Sequence, residues 1–198
     1  DHCFAHVVGF YIMMAKGATA ATVQVGRTPL ESLKNIAERY EGYGNSIRKV
    51  MEKKEENDGI IGVVADIIKV EKKYETAIEV ALGGNIQNIV TKDEGTAKKM
   101  ISFLKENKAG RATFLPLTRI TNPQEFKTPE VLKENGVVGM ACDIVSTEEE
   151  YKNVAKAMLG RIVVIDDVDH ALAIARKFDY GVRMVTLSGE LLVPGGAI

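Results

Sequence analysis

Cysteine, histidine, long apolar runs and an excess of either charge are what this sequence has little of, and each shortage excludes something. The two cysteines, Cys3 and Cys142, are too few and too far apart for a disulfide framework, and point to a reducing, cytoplasmic setting. Twenty-six basic residues stand against 27 acidic ones, so no global field announces nucleic acid or membrane, and any basic patch must be local. The apolar stretch 4–14 is too short to cross a bilayer and follows no basic segment, so neither a membrane span nor a signal peptide is expected. There is no Gly-x-x-x-x-Gly-Lys-Ser/Thr loop and no Gly-x-Ser-x-Gly. Beyond the first few residues the only histidine is His170, which leaves no Ser-His or Cys-His pair. No catalytic residue, cofactor site or metal site is therefore assigned, and no small-molecule substrate is expected.

What is present is a chain of 198 residues, 45% hydrophobic, enough to bury a core as one large domain or two small ones. Residues 1–27 match no period and are set aside as appended or disordered; His2, Cys3 and His6 fall there without a complementary cluster of metal ligands. The Asp at position 1 and the apolar ending Gly195-Gly196-Ala197-Ile198 suggest an excerpt of a longer protein. Thr28, Pro29 and Glu31 form a helix start: a cap, a proline at the first helical position and a capping-box glutamate. The helix expected over 28–58 carries Leu30, Leu33, Ala37, Tyr40, Gly44, Ile47 and Met51 at alternating spacings of three and four. That is the seam of a coiled coil, although an amphipathic helix packed on its own domain fits the pattern equally well.

From Gly59 the texture becomes α/β. A strand region is expected over 60–70, a helix over 74–82 stopped by Gly83-Gly84, and a strand over 86–90. A helix opened by Asp93 carries Ala97, Met100, Ile101 and Leu104 on one face, and a strand follows over 111–115. Residues 118–135, holding Pro123 and Pro129 just after Pro116, have the composition of an ordered linker.

The chain then repeats itself. Gly62-Val63-Val64-Ala65-Asp66-Ile67-Ile68 is echoed by Gly139-Met140-Ala141-Cys142-Asp143-Ile144-Val145, displaced from 62 to 139. Tyr74 matches Tyr151, and Leu82-Gly83 matches Leu159-Gly160. Ile89-Val90 aligns with Val164-Ile165, the helix face from Ala97 with that from Ala171, and 111–115 with 183–187. Five elements recurring in one order imply an internal duplication: two α/β halves, 59–117 and 136–198, related by a pseudo-twofold within one body, the second ending short.

Several residue sets invite chemistry. Asp166, Asp167 and Asp169 resemble metal ligands, but Asp93 and Glu94 occupy the corresponding place in the first half, and helix capping explains both. Gly83, Gly84 and Gly160 follow helices rather than opening them, which favours C-capping over phosphate binding. Cys142 is expected as inert core within a strand. Lys98, Lys99, Lys105, Lys108 and Arg111 are candidate DNA contacts of the non-specific, phosphate-neutralising kind, set against ordinary solubility. Residues 183–198 read as a hairpin about Ser188-Gly189, ending in Pro194-Gly195-Gly196, where glycine permits close backbone approach to a ligand or another chain.

These motifs in order resemble the hinge domain of the SMC proteins, of prokaryotic type. They are Tyr40-Glu41-Gly42-Tyr43, Gly59-Ile60-Ile61-Gly62, the run 74–83, Gly110-Arg111-Ala112-Thr113-Phe114-Leu115-Pro116, and the ending Val185-Thr186-Leu187-Ser188-Gly189-Glu190 with Pro194-Gly195-Gly196-Ala197-Ile198. The resemblance covers roughly 30–198. It implies a dimerisation module of a chromosome-condensing and segregating ATPase whose ATP-binding head lies elsewhere in the parent protein, a second hinge as partner by default in a homodimer, and association with the nucleoid. By position, Pro194, Gly195, Gly196 and Ala197 inherit a place at the dimer interface. A small-molecule-binding regulatory α/β module remains the alternative.

Overall fold

In the computed structural model of the chain, residues 2–3 and 44–198 are described. The helix start at Thr28 and the seam positions Leu30, Leu33, Ala37 and Tyr40 lie outside the described residues. After β1 (His2–Cys3), helix α1 (Asn45–Met51) opens the continuous part. Gly44 is its N-cap, extended at φ −59° and ψ 158°, and residues 52–56 leave the helix as turns. The seam expected to pass through Gly44 is therefore interrupted there. Ile47, Val50 and Met51 are buried, and α1 packs against a helix of its own domain.

The elements follow as β2 (Ile60–Val63), α2 (Val64–Ile67), β3 (Lys69–Val70), α3 (Glu75–Leu82), β4 (Ile89–Thr91), α4 (Glu94–Glu106) and β5 (Phe114–Pro116). The second half repeats them as β6 (Val137–Met140), α5 (Ala141–Ile144), β7 (Val145–Ser146), α6 (Lys152–Leu159), β8 (Ile162–Ile165), α7 (Val168–Lys177) and β9 (Arg183–Thr186), then adds β10 (Leu191–Leu192). The first sheet has order β2-β4-β5 and the second β10-β9-β8-β6. In each, an antiparallel pair is followed by a parallel pair, β4 with β5 and β8 with β9, whose crossover is the amphipathic helix α4 or α7. The architecture is mixed α/β.

Two expected strands are broken. The run 60–70 and its echo 137–146 each contain a helical turn, α2 or α5, so Cys142 sits in a turn of helix and not in a strand. The cause is a bulge. Gly62 at φ +154° and Gly139 at φ +155° stand where the ladder shifts register, and the extra residue turns the chain out of the sheet.

The pairings also correct the alignment of the halves. Ile60, Gly62 and Val63 face Thr91, Val90 and Ile89, whereas Val137, Gly139 and Met140 face Ile165, Val164 and Val163. Ile89-Val90 thus corresponds to Val163-Val164, one residue earlier than expected. Likewise Phe114 and Met184 are equivalent, since they face Ile89 and Val163, so the last strand aligns two residues away from the expected register. Both central strands are buried on both faces, which removes the alternation that would have exposed a one-residue slip. A two-residue slip preserves the faces outright.

The compact units differ from the halves of the sequence. Residues 68–86, including β3 and α3, fold with 120–198, whereas 87–119 fold with the segment ending at Ile67. In the unit containing the second half, β3 pairs with β7, and α3 packs on β9 and α6. Gly189 seats the tip of the β9–β10 hairpin on α3, since a Cβ there would lie 3.0 Å from Thr76 Cγ2. Val163, Val164, Ile165 and Met184 are fully buried in this unit, and each such side chain contributes about 1.5–3 kcal/mol. Most of the expected linker 118–135, from Ile120 on, belongs to this unit and its core: Val131 is wholly buried and Phe126 packs against the cluster.

Candidate pairing interface

After β10 the chain closes a small loop. The Val193 amide donates to the Ala197 carbonyl at 3.0 Å, the Gly196 amide to the Val193 carbonyl at 3.1 Å, and the Gly195 amide to the Tyr180 carbonyl at 3.0 Å. Gly195 and Gly196 take φ of +101° and +94°, a conformation that L side chains rarely adopt. A Cβ on Gly195 would meet nothing within 4 Å, while one on Gly196 would approach the Tyr180 ring at 3.7 Å. Glycine is demanded here by the backbone and not by crowding, and the space above the loop is open. Residues 194–198 are exposed, Ile198 by 71%.

Tyr180 is the residue that sequence reasoning missed. It and Asp179 are both left-handed, at φ 55° and 53°, with the Tyr180 amide capping the end of α7 through the Ala175 carbonyl at 2.8 Å. The residue is 41% exposed, and its ring lies beside Gly196. No local signal marks it, because tyrosine is not among the residues that favour a positive φ.

The hairpin that presents this loop is tied by its own polar groups. Glu190 accepts from the Thr186 hydroxyl and, at 2.8 Å, from the Ser188 hydroxyl, and these bonds hold its carboxyl below the ordinary carboxylate range. Thr186 is completely buried, and its hydroxyl, which accepts the Glu190 amide at 3.1 Å, donates to this carboxylate.

The five candidate DNA contacts lie apart from this loop, on α4 and the segment after it. Lys98, Lys99, Lys105, Lys108 and Arg111 are all exposed, and among the described residues none is held in an ion pair. Lys98 and Lys105 share a face of α4, with Lys99 turned about 100° from Lys98. Between them Ile101, expected on the buried face, is 46% exposed; Thr96, Ala97, Met100 and Leu104 form the inner stripe instead.

Of the acidic triplet, Asp167 is the helix cap. Asp167 accepts from the His170 amide at 2.8 Å, as Asp93 accepts from that of Thr96, and the latter bond depresses the Asp93 pKa. Asp166, Asp167 and His170 do bring ligand-capable atoms within 4.8 Å of one another, but their contacts are mutual: His170 Nδ1 lies 2.8 Å from Asp166. Gly83 and Gly160 stand as the C-caps of α3 and α6. Burial and the adjacent Asp143 push the Cys142 thiol up to about 11, which keeps it protonated and unreactive at neutral pH.

Comparison with known proteins agrees with this architecture. The sequence model of the SMC proteins Flexible Hinge Domain matches residues 57–175, more than half of the chain. The Chromosome partition protein Smc of Halothermothrix orenii is 41% identical over 170 residues, covering 85% of this chain and 14% of the relative; that of Bacillus subtilis is 36% identical over 178 residues, covering 89% and 15%. The chain therefore spans only a small part of the length of these relatives. Among solved structures, an asymmetric dimer of the Geobacillus stearothermophilus SMC hinge domain matches 98% of this chain and 75% of that one, with a TM-score of 0.76 and 31% identity. The Pyrococcus furiosus SMC hinge domain covers 81% of each chain, with a TM-score of 0.65 and 38% identity. On its sequence and its fold, the chain belongs to the SMC flexible hinge domain family.

Proposed function

We propose that this chain is a pairing module: it joins a second SMC hinge, by default another copy of itself, through the loop at Pro194, Gly195, Gly196 and Ala197. The observation that carries the reading is the loop itself, an exposed turn of two positive-φ glycines with open space above Gly195. Such a surface lets a second backbone approach more closely than side chains would allow. The similar hinge from Geobacillus stearothermophilus was solved as an asymmetric dimer, which supports the same use here.

The longer protein that such a hinge serves is, in this reading, a chromosome partition ATPase associated with the nucleoid, with its ATP-binding head outside this chain. Sedimentation equilibrium on the chain, beside one extended at its C-terminus by the residues that follow in its parent protein, tests the pairing. A concentration-dependent dimer that tightens with the extension is expected. Monomers in both would overturn the assignment and favour a ligand-binding regulatory module.

A second role is favoured by one observation, the unpaired cations of α4. Lys98, Lys105 and their neighbours carry non-specific DNA contact by neutralising phosphates without reading bases.

A further inference from the structure

The unit formed by 68–86 and 120–198 holds a cavity of about 630 Å³, within the range of small-ligand sites. Its walls combine the apolar side chains of Phe126, Met158 and Ile162 with three cations, Lys127, Arg161 and Arg183, and among the described residues no acidic side chain lines it. Among the described residues none of these three cations has an ion-pair partner. The fold brings two of them together by register. Ile162 faces Arg183 in the parallel ladder, so Arg161 and Arg183 both stand at the N-terminal end of β8 and β9. Arg161 is steadied by donating from Nη1 to Gln124 Oε1 at 2.7 Å, which leaves its other N–H groups for a ligand. Like charges gathered around one concavity repel each other, and an anion between them relieves that repulsion while the concave wall concentrates the field.

We propose that this cavity binds a phosphate-bearing ligand of nucleotide size, its phosphate set among Lys127, Arg161 and Arg183 and its flat body against Phe126 and Met158. Guanidinium groups are suited to the role because their planar N–H fork matches phosphate oxygens. The phosphate can come from a free mononucleotide or from a single strand of nucleic acid, and the chemistry recognised is the same. The three cations lie outside 194–197, but Pro194 lines the cavity and also belongs to the pairing loop, so binding and pairing are read separately in the test.

The test follows the methyl resonance of Met158 in the intact chain during titration with thymidine 5′-monophosphate, with thymidine and with a short oligothymidylate. The monophosphate is expected to move the resonance saturably and thymidine to leave it in place. Arg161→Gln and Arg183→Gln, at exposed positions that do not support the core, should each weaken binding roughly tenfold, with Lys133→Gln, exposed and outside the cavity, unchanged as control. An oligonucleotide that saturates the same methyl more tightly identifies a nucleic-acid strand as the source; equal affinity identifies the mononucleotide. The proposal is overturned if neither phosphate moves Met158, or if the shift survives in the double arginine variant. It is equally overturned if Met158 responds only to dilution of the protein, which would mean that a second copy covers the cavity. Sedimentation of the same samples reports pairing separately.

Discussion

The carbonyl of Tyr180 accepts the amide of Gly195 at 3.0 Å, tying the end of helix α7 to the last loop of the chain. Because Tyr180 is itself left-handed, two stretches that each need an unusual backbone hold one another in place.

Alanine at Gly195 or Gly196 would have to adopt φ near +100°, costing on the order of 1–3 kcal/mol or reshaping the loop. In a chain that pairs, we expect either substitution to weaken the dimer by roughly tenfold or more, with little change in the far-UV spectrum. Two variants that remain fully dimeric at low micromolar concentration, by sedimentation, would remove these glycines from the interface.

The bulge glycines offer a test of the duplication. Gly62→Ala and Gly139→Ala meet the same backbone demand, φ +154° and +155°, and neither is crowded: the added Cβ would lie 3.4 Å from Asp66 Oδ2 in the first case and 3.7 Å from Ile144 Cγ2 in the second. Each should cost about 1–3 kcal/mol in urea unfolding, by similar amounts. A large cost at one and none at the other would deny that the two bulges are equivalent.

His170 carries a sign that can be checked. Its pKa is raised above 6.5, chiefly by the hydrogen bond to Asp166, whose own pKa the same bond lowers. The folded state thus favours the imidazolium, so the stabilisation is fully present below the ordinary histidine range and fades as pH rises through the raised value. Asp166→Asn should bring the His170 titration, followed by NMR, back down. A histidine titrating at or below 6.5 in the unsubstituted chain would mean that the bond does not persist in solution.

For the cations of α4, Lys98→Glu with Lys105→Glu should weaken binding to DNA uniformly across sequences and flatten its dependence on salt. The log–log slope should fall by about 0.9 for each phosphate on duplex DNA that is no longer neutralised. Unchanged binding and slope would return these lysines to the role of solvated surface.

How far the fold was legible depended on the kind of signal each element carries. Asp93 and Asp167 announced two helix starts because capping is a local transaction between a side chain and an amide three residues on. The duplication, the hairpin about Gly189 and the caps at Gly83 and Gly160 were readable for the same reason. Gly62 and Gly139 were visible as repeated residues, but their meaning as bulges was not, since apolar residues continue past each, Val63-Val64 in one case and Met140-Ala141-Cys142 in the other, and conceal the helical turn that follows. The assignment of 194–197 came from resemblance and position. The cavity at Arg161 and Arg183 was out of reach, because those residues are 22 apart in sequence, from 161 to 183, and meet only through the register of β8 and β9. Tyr180 was missed because its left-handed backbone comes with a local helix cap on a residue type that rarely adopts it, and its tie to Gly195 is a tertiary contact.

The exchange of residues 68–86 limits how the molecule can be divided. The sequence is two copies of one pattern, and a cut in 118–135 would separate them cleanly on paper. Yet α3, encoded in the first copy, covers β9 of the second. A polypeptide starting at 136 would therefore leave strand β9 without its cover and Gly189 without Thr76 to rest on. We therefore expect neither copy to fold alone, and complementation between separately made fragments should succeed only when the first is long enough to carry Leu82.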